Sequence, residues 1–167
     1  MKQVSLRALE PEDLDLLYRI ENDTELWNVG VANVPYSRYL LHDYIATSSG
    51  DIYKDGQVRL VIENGSHQVV GLVDVINFDA RHSRAEVGIV IEKAYRRLGY
   101  ASEALQLVAA YARRVLHLHQ LYALIAKEND SSQALFAKQG YQLSAECHDW
   151  LFDGAKYQSA LLYQLFL

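Results

Sequence analysis

Apolar and polar residues alternate near the start of the chain and again from residue 57, a period of two that is typical of half-buried strands. Val4, Leu6 and Ala8, for example, alternate with Ser5 and Arg7. This pattern, together with short apolar runs bounded by turn residues, predicts strands at about residues 3–9, 57–63, 68–78, 85–91, 121–126, 141–148 and 157–165.

Two dipeptides, Asn64-Gly65 and Asp153-Gly154, lie between neighbouring predicted strands. Both residues of such a pair tolerate a positive φ, so these pairs favour tight hairpin turns. We therefore expect the strands on either side of each pair to be antiparallel neighbours.

Elsewhere the apolar spacing changes to three and four, which predicts amphipathic helices. Pro11 suits the first turn of a helix, with Glu12 and Asp13 at its positive end. Residues 23–36 look irregular, and Gly140 is expected to end the last helix. The remaining helices are predicted at about residues 37–46, 101–115 and 131–139. The resulting order, β-α-α-β-β-β-α-β-α-β-β, predicts a mixed α/β sheet with helices on its faces.

Length and composition narrow the class of protein. With 167 residues, half of them apolar, and no dividing linker or repeat, residues 1–167 are expected to form one domain. No apolar run approaches the roughly 18 residues that cross a bilayer, and the start of the chain lacks the apolar region of a signal peptide. The single Cys147 favours a reducing cytoplasm. A net charge of −5 disfavours a nucleic-acid binder, which is usually basic.

The most informative segment is GIVIEKAYRRLGYASEALQLV, in which a strand ends near Ile91 and a helix begins at about Ala101. Unpaired N–H groups and the dipole of a helix start favour an anion. Gly99 would admit a bulky anion, and Arg96 and Arg97 would add charge-assisted hydrogen bonds. The segment has neither a Walker A nor a G-x-G-x-x-G pattern. It predicts a pyrophosphate cradle, the alternative being an ordinary strand–loop–helix junction with solvated arginines.

The run R-R-L-G-Y-A resembles the Q/R-x-x-G-x-G/A signature of the GNAT (Gcn5-related) N-acetyltransferases. Glu86 opens the preceding strand, as an acid does in that family. LYALIAKEND-SSQALFAKQGY resembles the strand and helix that follow, and DWLFDGAKYQSALLYQL resembles the last hairpin of the ribosomal-protein and spermidine branches. The opening LRALEPEDLD is also typical. The resemblance covers nearly the whole chain and implies a GNAT fold: a largely antiparallel seven-stranded sheet, splayed to admit CoA, with about four helices.

The resemblance also implies an enzyme that uses acetyl-CoA as co-substrate and requires no metal. The pantetheine arm would pair with the backbone near Val90 and Ile91, and Asn129 would contact it. The pyrophosphate would lie on the loop and the first turn of the following helix, at Arg96, Arg97, Gly99, Tyr100, Ala101 and Ser102.

Acetyl transfer to an amine requires that the ammonium lose a proton and that the CoA thiolate gain one. A carboxylate at the start of an apolar strand is costly unless it is used or paired. Glu86 is therefore a candidate general base, acting through water, or a binder of the amine. A salt bridge from Glu86 to Arg84 or Arg81 is the structural alternative.

The general acid is harder to place. Many family members carry a Tyr seven residues after the Asn, but this chain has Phe136 there, which cannot donate a proton. Relatives that acetylate ribosomal proteins often carry N-x-x-S, and Asn129 and Ser132 have that spacing. Ser132 is the first candidate for the acid or for a contact with the CoA sulfur, with helix capping as the alternative. Tyr141 and Tyr157 are weaker candidates.

The acceptor should be decided by residues 22–55, which flank the acceptor side in this family. Spermidine acetyltransferases carry acids around the proline of that region. Here Asn33 and Val34 precede Pro35, and Leu41 follows, which weakens a polyamine assignment. Acids that remain available to a cation are Asp23, Glu25, Asp43 and Asp51.

Three functions therefore stay open. The first is acetylation of a polyamine- or diamine-like amine, which we hold near parity with acetylation of a protein N-terminus. The second class is a catalytically idle CoA-binding domain, which the substitution at Phe136 motivates. The third is a nucleotide-binding module that uses the same cradle. No nucleic acid or membrane partner is expected. The aromatic tail suggests a homodimer or larger homo-oligomer through Trp150, Phe152, Tyr163 and Phe166, with packing of these residues in the core as an equal alternative.

Overall fold

The computed structural model describes residues 3–27 and 34–167. The predicted acceptor-side residue Asn33 lies outside them. The described residues form one seven-stranded sheet in the order β1-β2-β3-β4-β5-β7-β6. Neighbouring strands are antiparallel except for β4 and β5. The strands are β1 (Val4–Ala8), β2 (Val58–Asn64), β3 (Val69–Asp79), β4 (Arg84–Ile91), β5 (Gln120–Ala126), β6 (Gln142–Phe152) and β7 (Tyr157–Phe166). The predicted mixed, largely antiparallel sheet is confirmed.

The described residues also form six α-helices, two more than expected. The helices are α1 (Leu14–Glu21), α2 (Thr24–Trp27), α3 (Arg38–Thr47), α4 (Ile52–Asp55), α5 (Tyr100–Arg114) and α6 (Asp130–Lys138). Helices α2 and α4 have four residues each, too few to show a helical period in the sequence. Helix α2 lies where an irregular segment was predicted. No helix in the described ranges is long and apolar enough to cross a membrane.

Helices cover both faces of the sheet. On one face, Leu17 of α1 packs in a cluster with the strand residues Val61 and Leu72. On the other face, Val108 of α5 packs in a larger cluster with Val73. Adjacent residues of a strand point to opposite faces, so the near-continuous apolar runs of β2 and β3 serve two cores.

Asp13 has a different role from the predicted partner of a helix dipole. It is buried, and its carboxylate accepts hydrogen bonds from Arg7 Nη1 at 2.7 Å and Nη2 at 2.9 Å. It also accepts one from the Glu10 backbone N–H at 2.8 Å. The hydrogen bonds from Arg7 outweigh burial and hold the pKa of Asp13 below its usual value. The pair therefore fixes β1 to the 3₁₀ turn at Pro11–Asp13, which leads directly into α1.

The predicted β2–β3 hairpin is present, but its turn is not the expected one. The Asn64 side-chain oxygen accepts backbone hydrogen bonds from Ser66 and Gln68, both at 3.0 Å. The positive φ falls on His67, at 58°, and not on Asn64 or Gly65. Asparagine thus acts here by mimicking a backbone turn and not by its tolerance of positive φ.

Three other glycines shape the fold. Gly140 follows α6 with a φ of 87°, and Gly154 turns the β6–β7 hairpin with a φ of 94°, both as predicted. Gly71 lies where β3 meets the end of β4, and a Cβ built there would be 2.1 Å from the Val90 carbonyl oxygen. A larger residue at 71 would push the two strands apart.

The sheet splays between its two parallel strands. In the described residues β4 and β5 pair at three positions, Arg84 with Gln120, Ala85 with Leu121 and Glu86 with Tyr122. Beyond these pairs the strands diverge, and a cleft opens between them.

Candidate active site

The cleft has a volume of about 490 Å³, within the range of small-molecule sites. Its two long walls are the diverging parts of β4 and β5. Residues of α1, α2, β2, β3, α6 and β6 complete the lining. Four of the residues predicted to act in the site line this cleft: Glu86, Val90, Asn129 and Ser132.

The donor end of the cleft is the free edge of β4. Val90 and Ile91 pair with β3 on one side only, so the other edge of their backbone can bond to an extended arm. Arg96 contributes differently from the prediction, because its Nε donates to the Ile91 carbonyl oxygen at 3.0 Å. Arg96 therefore ties the loop to the strand end and is not wholly free for phosphate.

The predicted cradle lies beyond this strand end, outside the lining of the cleft. Gly99 is the N-cap of α5 with a φ of 93°, and none of the described side chains caps the helix. A Cβ built on Gly99 meets no described atom within 4 Å. The helix start therefore presents backbone N–H groups to open space beside exposed Arg97, an arrangement that fits a pyrophosphate. The first turn is formed by Tyr100, Ala101 and Ser102.

Asn129 and Ser132 meet at the start of α6. The Asn129 Oδ1 accepts the backbone N–H of Ser132 at 3.1 Å, so Asn129 is the N-cap of the helix. Ser132 does not cap the helix, and its hydroxyl makes no hydrogen bond within the described part of the chain. Both side chains line the cleft, and the hydroxyl of Ser132 remains available to a ligand.

The two tyrosine candidates for the general acid lie outside the cleft lining. Phe136 lines the cleft and is buried, and it packs edge-on against Tyr141 with ring centroids 5.0 Å apart. Tyr141 is also buried, its hydroxyl has no partner among the described atoms, and burial raises its pKa. Tyr157 packs against Phe152 at the tail hairpin. Neither tyrosine belongs to the cleft lining.

Glu86 is half-buried on the acceptor side of the cleft. Its Oε2 accepts a hydrogen bond from Asn77 Nδ2 at 2.8 Å. The alternative ion pair is not formed, because Arg84 instead pairs with Asp79 at 3.2 Å and no ion pair of Arg81 occurs in the described ranges. Sequence reasoning missed Asn77.

A half-buried charge cluster also lines the cleft, and sequence reasoning missed it. Arg59 donates to Asp74 at 2.6 and 3.0 Å and to Glu21 at 2.5 Å. Burial lowers the pKa of Arg59, but the attraction of Asp74 and Glu21 outweighs it and raises the pKa, so the guanidinium stays charged. With Glu86, the described lining of the cleft holds three carboxylates and one guanidinium, an excess of negative charge.

The four acids predicted to remain available to a cation are not part of the described lining. Glu25 pairs with Lys93 at 2.7 Å, and Asp23 accepts the Glu25 backbone N–H. Asp51 caps α4, and Asp43 is exposed on α3. The sequence did contain a signal for the cluster of Arg59, Asp74 and Glu21. Arg59 and Asp74 are each a charged residue inside an apolar strand.

The four aromatic residues of the tail do not share one environment. Trp150 lines the cleft, a position that neither the predicted subunit surface nor the alternative of core packing gave. Tyr163 is buried in the core, at 7% exposure. Over the described ranges, no group of three or more His, Cys, Asp or Glu side chains is arranged to hold a metal ion.

A family model described as the acetyltransferase (GNAT) domain matches residues 3–142. The chain belongs to this GNAT acetyltransferase family. Spermidine N(1)-acetyltransferase of Escherichia coli (strain K12) is 29% identical over 95% of this chain and 83% of its own. An uncharacterised N-acetyltransferase, YoaA, of Bacillus subtilis (strain 168) is 30% identical over 92% of this chain and 88% of its own.

Solved structures agree with this GNAT assignment. The spermidine N-acetyltransferase from Vibrio cholerae in complex with CoA and spermine superposes with a TM-score of 0.88. It is 25% identical and covers 98% of this chain and 95% of its own. The predicted family, GNAT fold and acetyltransferase class are confirmed, and membership of the family makes acetyl-CoA the co-substrate, as predicted.

Proposed function

We propose that this GNAT protein transfers the acetyl group of acetyl-CoA directly to a primary amine of a polyamine- or diamine-like acceptor, in a ternary complex. The observation that carries the proposal is the cleft itself, which has an excess of carboxylates at its acceptor end and a cradle for an anion beyond its donor end. A site with excess negative charge attracts cationic acceptors. The relatives named for spermidine acetylation support the same acceptor class.

Each end of the cleft has a distinct task. The first turn of α5 and Arg97 would bind the pyrophosphate, and the free edge of β4 would hold the pantetheine arm. Glu86 would take the ammonium proton through water or bind the ammonium itself. Ser132 would lie near the thioester, where it can contact or protonate the departing sulfur.

The position of the carboxylates changes the weight of the polyamine hypothesis. Sequence reasoning counted acids near Pro35 and found them missing. The cleft instead draws carboxylates from the end of α1 and from β3, as Glu21 and Asp74. A lack of acids around Pro35 therefore does not argue against a polycationic acceptor.

The test is thiol release from acetyl-CoA with a panel of acceptors: putrescine, spermidine, spermine and peptides with a free N-terminus. Products are identified by mass spectrometry. Preferential turnover of the polyamines is expected. Preference for the peptides would favour a protein N-terminal acetyltransferase, and CoA binding without turnover of any amine would favour an idle domain. Equal affinity for ATP and CoA would favour a nucleotide-binding module.

We also infer that the chain assembles with copies of itself. The edge strand β6 and the tail carry large side chains that are more than half exposed, namely Leu143, Trp150, Phe152 and Phe166. Such apolar surface is typical of an interface. Light scattering on the purified full chain, with and without CoA, tests this. That residues 1–167 form one domain, and that the protein acts in the cytoplasm, remain predictions for limited proteolysis and cell fractionation.

A further inference from the structure

We infer that Asn77 is a positioning residue for the acetyl transfer, holding the Glu86 carboxylate so that its second oxygen faces the acceptor. The inference rests on the proposed function. Both side chains line the cleft, and the hydrogen bond from Asn77 Nδ2 to Glu86 Oε2 is 2.8 Å long.

The backbone at Asn77 is built to make this contact. Ile76 pairs with Glu86, and the next pair is Asp79 with Arg84, so the register shifts between them. In a regular strand the residue after Ile76 would point to the opposite face from Glu86. A bulge re-aims a side chain, and here the amide of Asn77 comes to Glu86.

The bulge also demands a particular residue type. Asn77 has a φ of 50°, in the left-handed region that Gly and Asn adopt most readily. Contacts outside the cleft hold this conformation in place. The Phe78 N–H donates to the Gly56 carbonyl oxygen at 3.0 Å, and the Phe78 ring packs edge-on against Tyr53. Left-handed residues held by their surroundings cluster at functional sites.

The chemistry of the pair suits an amine acceptor. An amide donor fixes one carboxylate oxygen and leaves the negative charge in place. An arginine in the same position would neutralise that charge. The neighbouring cation, Arg84, is engaged with Asp79. The other ionisable groups near Glu86 are Tyr122, its register partner on β5, and the Glu21–Arg59–Asp74 cluster farther along the cleft. The carboxylate thus has no cationic partner among the described residues, and its second oxygen can bind the ammonium or the water that removes the ammonium proton.

Asn77→Gly is the primary test, because glycine keeps the left-handed backbone and removes only the amide. His67→Gly is the matched control, since His67 has a φ of 58° in the exposed β2–β3 turn. We expect kcat with the preferred amine to fall about 10- to 100-fold in Asn77→Gly, the scale of a displaced catalytic group. The Kd for acetyl-CoA and all parameters of His67→Gly should match the wild type.

Asn77→Asp supplies a second readout and tolerates the same backbone conformation. It places a carboxylate against Glu86, and two adjacent carboxylates resist joint ionisation. The acidic limb of the kcat/KM profile should therefore move to higher pH by about one unit or more, a change that a purely structural role would not cause.

The outcomes separate the two proposals. A wild type that acetylates no amine overturns the proposed function. A wild type that is active, with Asn77→Gly and Asn77→Asp matching it in kcat and in pH profile, overturns the role of Asn77 and leaves the proposed function standing. Should Asn77→Gly fail to fold, the pH profile of Asn77→Asp decides.

Discussion

The two ends of the cleft recognise their ligands in different ways. The donor end is made largely of backbone: the free edge of β4 and, beyond the cleft lining, the uncapped start of α5 at Gly99. The acceptor end is made of side chains from distant segments, with Glu21, Arg59 and Asp74 brought together from α1, β2 and β3. The residues that recognise a ligand through their backbone lie in one contiguous segment of the sequence. The residues that recognise it through side chains are far apart in the sequence and meet only in the folded chain.

The largest effect is expected at the donor end. Gly99→Val places a branched side chain where the pyrophosphate would lie and strains a residue with a φ of 93°. Acetyl-CoA binding should weaken by at least about 100-fold, or ~2.7 kcal/mol, measured by calorimetry. Gly154→Val is the matched control, with a φ of 94° and an equally open Cβ position at the tail hairpin. Equal CoA binding by the two variants would show that the pyrophosphate does not bind at the start of α5.

At the acceptor end, Glu86→Gln should reduce kcat/KM by about 100-fold or more, the usual scale for a general base. The loss should shrink at high pH, where more of the amine is free, and the Kd for acetyl-CoA should not change. Glu12→Gln makes the same change at an exposed position outside the cleft lining and serves as the control. A wild-type pH–rate profile in Glu86→Gln would reduce Glu86 to a structural residue.

A smaller effect is expected where the two ends meet. A thiolate is a fairly stable leaving group, because a free thiol has a pKa of about 8.5. Ser132→Ala should therefore slow turnover about tenfold or less, below the range for most acid–base residues. Phe136→Tyr should be tolerated with little gain. Ser5→Ala, at an exposed position of β1 outside the cleft lining, is the control. A silent Ser132→Ala combined with a strongly accelerated Phe136→Tyr would show that the wild type has no side-chain acid.

The smallest effect on catalysis is expected for a residue that only supports the acceptor end, and its main effect is on stability. Arg7 lowers the pKa of Asp13, so the ionised carboxylate stabilises the fold above about pH 4, the unfolded value. That stability is lost as the pH falls through the lower folded value. Asp13→Asn should cost about 2 kcal/mol at pH 7 in urea unfolding, and the difference from the wild type should shrink below about pH 4.

The same variant sharpens the comparison between the two ends. Asp13 precedes α1, which carries Glu21 into the cleft. Asp13→Asn should therefore raise the KM for the amine and leave the Kd for acetyl-CoA unchanged. An equal effect on both constants would show that α1 supports the whole cleft and not the acceptor end alone.

Most of the fold followed from periodicity, because strands with long apolar runs and helices of two or more turns leave a repeating pattern. Helices α2 and α4 were missed since a single turn leaves none. At the donor end, the motif R-R-L-G-Y-A was enough to predict Gly99 at the start of a helix. Asn77 was missed because a bulge moved it out of the alternation that the sequence pattern assumes.

At the acceptor end, Arg59 and Asp74 are register partners on β2 and β3. Each is a single charge in an apolar run, a signal that could have been used. Their meeting with Glu21 depends on how α1 crosses the sheet, which no local pattern encodes.

The three residue pairs that join β4 to β5 have a mechanical consequence. They form a short seam between a four-stranded half-sheet, β1 to β4, and a three-stranded one, β5 to β7. A molecule that bonds to the free edge of β4 and to side chains on α6 links the two half-sheets for as long as it is bound. Occupancy of the cleft should then slow amide hydrogen exchange across both half-sheets, because bound substrate stabilises the sheet at its weakest junction.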